Sequence, residues 1–393
     1  MDSPESLGID TVLQHYAEEG QPFGAVVPPI YQSSLFSFED IDDFAAALSE
    51  SPPGPPFFYS RIGNPTVDIV ERKIAKLEGA EACKLIGTGM GAITMAIFSV
   101  VKSGSHCVVV DTCYKPVRQL FETMLARLGV TATFVDGRCP ETVFEAVRPE
   151  TDLIYLESQS SILFRLQSIE AITAFARQRG IVTVIDNTYS TPLYQSPLAM
   201  GVDILVHSAT KYLAGHSDVT AGAICTSAER VAGMLKEEVN FLGSAIGPFP
   251  AWLVLRGLRP LSLRLPRHES TANSLVGWLQ DHPRVKGVNH TSLADFEQRE
   301  LFLKQMKGSA GLFSFELKDG SEAAVRSFVR ALRLFKLGVS WGGFESLVVP
   351  VLMHPLDWPE PRWVIRLYCG LESPDDLIRD LARGLEAVSN ASA

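Results

Sequence analysis

The chain has 393 residues, 46% hydrophobic side chains and a formal net charge of −10. That length exceeds one compact domain, and the acidic balance excludes a broad nucleic-acid-binding or anionic-membrane surface, so any phosphate has to be held by local groups. Six cysteines without a C-x-x-C pair and eight histidines without an H-E-x-x-H spacing predict a reduced, cytoplasmic protein with no metal.

The opening MDSPESLGID lacks a basic n-region and an apolar h-region, so no secretory signal is expected. The longest uncharged apolar stretch, Met90 to Val101, falls short of the ~20 residues of a membrane span. Residues 1–60 read as an arm with a short helix at Ile9 to Glu19, no helix at Pro28 and Pro29, and a helical pattern at Asp40 to Leu48. SPPGPP then forms a proline-rich connector that cannot join a sheet interior. An arm with so little core is expected to lie on another surface, another subunit's included. Directly after it, FFYSRIGNPT places Tyr59 and Arg61 two apart before a G-N-P turn.

Residues 61–250 alternate helix and strand, the pattern of an α/β domain with a largely parallel sheet. Helices are predicted at Val67 to Leu77, from GTGMGA to Val101, at Pro116 to Leu128 and at Ile169 to Gln178. Strands are predicted at Cys83 to Ile86, His106 to Val110, Thr131 to Val135, Leu153 to Leu156, Val182 to Ile185, Ile204 to Val206 and Ala221 to Cys225. The turn Gly87 to Ala92 satisfies G-x-G-x-x-A, and Asp111 ends the next strand where a ribose-binding acid would stand, so a dinucleotide site is one reading. Any phosphate reading of that turn uses backbone amides at a helix start.

Asp186 closes the apolar strand of VTVIDNTYSTP, where an acid must be paired, either in a structural ion pair or in a functional one. DILVHSATKYLAGHSDVTAG sets Lys211 just past a buried strand, between snorkelling out of the sheet and serving as a desolvated, Schiff-base-forming amine. His207 and His216 read as packing or hydrogen-bonding groups.

Residues 251–393 form a smaller α+β unit, with strands at Leu312 to Leu317 and Trp363 to Tyr368 and a helix at Ala323 to Leu332. A final helix starts at Ser373 as N-cap, with Pro374, Asp375 and Asp376 in its first turn. Arg366 lies in an apolar strand, where a carboxylate partner, the protein's own or a substrate's, would offset its burial.

Five of these segments, YSRIGNPT, GTGMGA, DTCYKP, SATKYLAGHSD and RLYCGLE, together with SWGGFESL, resemble the trans-sulfuration family of pyridoxal-phosphate enzymes of cysteine and methionine metabolism. The resemblance implies the type I, aspartate-aminotransferase-like α/β fold, with a mostly parallel central sheet and a smaller C-terminal domain. It implies pyridoxal 5'-phosphate on Lys211, Asp186 with Thr188 at the pyridine nitrogen, and Gly89, Met90, Ser208 and Thr210 at the phosphate. Tyr59 and Arg61 would reach the phosphate of a neighbouring subunit in a homotetramer of active dimers. Tyr114 would stack on the ring, Lys211, Tyr114 and Tyr59 would be the catalytic set, and Arg366 would clamp a substrate carboxylate. Ser340 and Trp341 would border the substrate.

S-W-G-G looks like the β-lyase branch, as does Ser161 in place of an asparagine in ESQSSI, while Gln159 replaces a usual proline. Lys115-Pro116-Val117 after Tyr114 departs from the methionine γ-lyase branch. The activity so implied is β-elimination of cystathionine or another cysteine thioether to a thiol, pyruvate and ammonia. The alternatives are γ-elimination or γ-replacement, an oxidoreductase using Gly87 to Ala92 with NAD, and an inactive family member.

Overall fold

The computed structural model describes residues 7–50 and 57–389, with only the backbone of 49, 50 and 389, so residues 1–6, the SPPGPP connector and residues 390–393 lie outside it. The first helix, α1 (Ile9–His15), ends sooner than predicted because Tyr16 is extended and Ala17 takes a left-handed φ of 67°. A second, α2 (Ile41–Glu50), follows where its pattern lies.

Next comes α3 (Pro65–Glu78), begun by Asn64, whose side chain accepts from the Thr66 amide, with Pro65 in the first turn. Gly79, left-handed at φ 69°, ends it. The sheet that follows has seven strands: β1 (Ala82–Ile86), β2 (His106–Val110), β3 (Thr131–Val135), β4 (Thr151–Leu156), β5 (Val182–Asp186), β6 (Ile204–His207) and β7 (Gly222–Thr226). Their order is β1-β7-β6-β5-β4-β2-β3. Pairing from β6 through β3 is parallel, and β7 runs antiparallel to both β6 and β1. Apolar runs such as Val108–Val110 and Ile204–Val206 are buried on both faces because helices cover the sheet on both sides.

Between β1 and β2, α4 (Gly89–Phe98) starts at Thr88, whose hydroxyl accepts from the Gly91 amide at 2.9 Å. The helix predicted at Pro116 to Leu128 runs from Lys115 and includes a π-helical turn at Phe121–Leu125. A short helix at Pro140–Glu145 escaped the sequence because six residues carry too little periodicity.

Helices Pro248–Leu258 and Leu261–Gln280 then lead to a second sheet. Its strands are β8 (Val285–Asn289), β9 (Leu312–Leu317), β10 (Lys336–Leu337), β11 (Leu347–Met353) and β12 (Arg362–Tyr368), in the order β10-β11-β12-β9-β8. It has its own apolar cluster, which includes Phe313, Phe315, Phe328, Leu367 and Leu381. No helix among the described residues is long and apolar enough to cross a membrane.

Candidate active site

In an open α/β sheet the crevice lies beyond the carboxyl ends of the parallel strands. Here β5 ends at Asp186, and β6 ends at His207, directly before Ser208. Past β6 the chain coils tightly, with the Lys211 amide donating to Ser208 O at 3.0 Å and the Gly215 amide to Lys211 O at 2.7 Å. The lysine is therefore held by its own backbone close to the sheet.

Its side chain turns toward the other unit. Lys211 Nζ donates to Ser340 Oγ at 2.5 Å and lies 5.7 Å from the centre of the Trp341 ring. Burial, and then the Arg366 guanidinium, bring the amine down to about 8, with Asp186 opposing. Trp341 is in turn fixed by Tyr212, 5.3 Å away edge-on, and by Tyr189 at 6.2 Å. At Gly342, φ is 92° and a Cβ would stand 2.7 Å from the Lys211 carbonyl carbon, so only glycine lets the S-W-G-G turn approach this closely.

A hydroxyl relay joins the two strand ends. Ser208 N donates to Thr188 Oγ1 at 2.7 Å, and Thr188 donates through both its hydroxyl and its amide, the latter at 2.8 Å, to Asp186 Oδ1. Both bonds fall on Oδ1, leaving Oδ2 without a hydrogen bond among the described residues. Burial pushes the Asp186 carboxyl above its usual range, against the Thr188 bonds and the His207 and Lys211 charges.

Glu157, just past β4, shares this space. Its Oε2 accepts from the Tyr114 amide at 2.7 Å, and its carboxyl is pushed up by burial and then by Asp186, against hydrogen bonds from Ser161. Tyr114, 47% exposed, thus stands at the mouth of its helix with its backbone pinned and its ring free. Burial raises its phenol and Arg366 opposes this.

Arg366 lies on β12, where Nη2 donates to the carbonyls of Val339 and Ser340, each at 3.0 Å. Among the described residues no acid pairs with it, and its Nε is buried without a partner. Burial lowers the guanidinium to about 10. The reading of Arg366 as half of an internal salt bridge is thereby removed.

At the start of α4, the amides of Gly89 and Met90 lie in the first turn, where no intrahelical acceptor exists. A Cβ on Gly89 would be 2.6 Å from Ser208 Oγ, so this turn and the Ser208 hydroxyl form one concave corner. Thr210 differs from Ser208: its hydroxyl exchanges bonds with the Ala221 carbonyl and amide, at 3.1 and 2.9 Å, and caps the turn leading into β7.

The tertiary structure thus joins Lys211, Asp186, Thr188, Ser208, Gly89, Met90, Tyr114, Ser161, Arg366, Ser340 and Trp341 around one crevice. Within a single chain it does not bring Tyr59 and Arg61 into that group. Tyr59 pairs with Leu35 in an isolated bridge and is 41% exposed, and Arg61 stands 5.1 Å from its ring. Glu157 went unassigned from sequence, although the acid-at-a-strand-end signal that singled out Asp186 applies to it equally.

The dinucleotide reading of Gly87 to Ala92 fails on topology. It needs the strand ending at Asp111 beside the strand before the glycine turn, but four strands, β7, β6, β5 and β4, separate β1 from β2. Asp111 Oδ2 instead accepts from the Leu356 amide at 2.8 Å.

The family model described as "Cys/Met metabolism PLP-dependent enzyme" matches residues 10–386. The chain belongs to this family of pyridoxal-phosphate-dependent enzymes. It is 36% identical over 399 residues to an L-methionine gamma-lyase of Treponema denticola, covering 97% of this chain and 98% of that one. It is 37% identical over 399 residues to a Rhizobium johnstonii protein provisionally named cystathionine beta-lyase, with 98% of each covered. Among solved structures, a provisionally named O-acetylhomoserine (thiol)-lyase of Campylobacter jejuni, holding a pyridoxyl-lysine phosphate, superposes with a TM-score of 0.90. Its identity is 28%, over 96% of this chain and 100% of that one.

The type I fold and the pyridoxal phosphate cofactor follow from that membership. The residues present fit the group. A half-buried, desolvated amine suits its aldehyde, and the Ser208–Gly89 corner suits its phosphate. Asp186, with Oδ2 free of hydrogen bonds among the described residues and its charge disfavoured by burial, suits a protonated ring nitrogen.

Proposed function

We propose that this family member is a carbon–sulfur β-lyase acting on cysteine thioethers, cystathionine among them. Pyridoxal phosphate on Lys211 would supply the electron sink for the pair left at Cα when its proton departs. Lys211, as a free amine, takes the Cα proton and returns one to the sulfur leaving Cβ. Ser340 Oγ aims that amine, and Arg366 holds the substrate carboxylate so that the Cα–H bond faces it. Asp186 Oδ2 would hold the proton of the bound cofactor's ring nitrogen, and Tyr114 would shield the cofactor from water. Cystathionine and water then give homocysteine, pyruvate and ammonia.

The observation that carries this reading is the Lys211 amine set between Ser340 Oγ and the Trp341 ring. One short-reaching base serves Cα and the group on the adjacent carbon, while the indole walls the space beyond. γ-Elimination is the second reading, favoured by the whole-length similarity to an L-methionine gamma-lyase. Supplying cystathionine decides between them: homocysteine with pyruvate supports β-elimination, and cysteine with 2-oxobutyrate overturns it.

The same reading makes the chain a cytoplasmic homotetramer of active dimers, divided at residues 1–60, 61–250 and 251–393, with Ser208 and Thr210 on the phosphate. Thr210 would first have to release Ala221. The exposure of Tyr59 and Arg61 supports their reaching a neighbouring copy's phosphate. Mixing Arg61→Ala with Lys211→Ala chains tests it, since shared sites would regain part of the activity and separate sites none.

A further inference from the structure

Behind the crevice lies a fully buried polar cluster that the chemistry above does not use. Asn187 directly follows Asp186, and His207 directly precedes Ser208. Side chains alternate across a strand, so Asn187 and His207 face the side of the sheet opposite Asp186. One carboxylate meets both: Glu78 Oε1, on the last residue of α3, accepts from His207 Nε2 at 2.5 Å and from Asn187 Nδ2 at 3.2 Å. The side chains of Glu78 and His207 are completely buried.

The cluster has little other support. Among the described residues His207 Nδ1 and Glu78 Oε2 are buried with no partner, so the imidazole's one hydrogen bond there is to Glu78. Among the described residues Asn187 Nδ2 otherwise reaches the Thr191 and Gln195 carbonyls at long range, 3.5 and 3.4 Å. A carboxylate oxygen accepts, so the ring donates to Glu78 through Nε2. The imidazole is also among the groups that hold the Asp186 carboxyl down.

We propose that Glu78 is a positioning residue for the cofactor. By clasping Asn187 and His207 together, it sets the separation between Asp186, at the ring-nitrogen end, and Ser208 with the Gly89 turn, at the phosphate end. The cofactor ring is rigid, so a shift of either strand end leaves one of its two ends misfitted. The clasp adds to the Ser208–Thr188–Asp186 relay on the opposite face, and the two strand ends are tied on both sides. The inference rests on the cofactor and is independent of the choice between β- and γ-elimination.

The test uses the full chain as Glu78→Ala, Glu78→Gln and His207→Gln. It measures the Kd for pyridoxal phosphate, the pH midpoint of the bound cofactor's visible band, and the melting of the cofactor-free protein. Glu78→Ala is expected to raise the Kd by about tenfold or more and to move the midpoint, as loss of a charge-assisted buried bond implies. Glu78→Gln keeps an acceptor oxygen and should recover most of the affinity, and His207→Gln should show the same changes at smaller size. A wild-type Kd and midpoint in Glu78→Ala overturns the proposal. So does weaker binding that follows lowered melting with the midpoint unmoved, since that is a purely structural role. Should Glu78→Ala fail to fold, His207→Gln and Asn187→Ala decide, and no rise in Kd in either overturns it.

Discussion

In the seven-stranded sheet the reactive side chains stand at the ends of buried parallel strands, and in the five-stranded sheet they stand on a turn and in the middle of a strand. Asp186 and the Lys211 segment are tied by backbone bonds, by the Thr188 relay and by the Glu78 clasp. Ser340 and Trp341 ride on the turn between β10 and β11, and Arg366 faces the crevice with an unpaired Nε. On the proposed chemistry, the bond-breaking groups sit on the over-determined sheet, and the substrate-contacting groups on the sheet with unmet hydrogen-bonding capacity that a ligand can satisfy.

That comparison is broken most readily at Lys211. Lys211→Ala should leave far-ultraviolet circular dichroism unchanged and lower turnover by roughly 10³- to 10⁴-fold, the range of a lost general base. Turnover above a few per cent would mean the large sheet does not hold the chemistry. Next in size is Arg366→Lys, which loses the planar fork: KM should rise on the order of 100-fold with kcat falling much less. A fall confined to kcat would erase the division between the two sheets.

Ser340→Ala sharpens the comparison at the contact between them. The Lys211 amine loses the hydroxyl that aims it, and kcat should drop about tenfold, as for a single hydrogen bond to a charged group, read from steady-state rates. The smallest effect is one of pH. An amine held near 8 is protonated below that value and neutral above it. Acylation of Lys211 in cofactor-free protein, followed by mass spectrometry, should therefore become half-maximal near 8, against about 10.4 for an ordinary lysine. Because the folded state binds fewer protons than the unfolded chain between those values, this group's contribution to stability rises with pH across that window.

Much of the site was legible because its residues break the local rule of their segments. A lysine after a β-branched run, an acid closing an apolar strand and an arginine inside one are costly choices, and each is now found at the crevice. Glu157 carried the same signal but sat in a loop whose ESQSSI wording departs from the usual form. The β8, β10 and β11 strands left little trace, since Val285–Asn289 and Lys336–Leu337 are short, partly exposed and without clean alternation, and Pro350 interrupts Leu347–Met353. Glu78 and His207 could not be paired from sequence at all, because 129 positions separate them and nothing in either segment refers to the other.

The α/β order and the unusual placement of Lys211, Asp186 and Arg366 were readable from local segments, because propensity and the cost of burying charge act within a few residues, and the motifs around them carried the family resemblance. Long-range packing alone places β1 and β2 far apart, which removes the dinucleotide site, brings Ser340 to Lys211, and sets one carboxylate across the ends of β5 and β6. Those are matters of strand order and of contacts between distant segments, and they arise when the chain packs around a shared core rather than from any stretch of it alone.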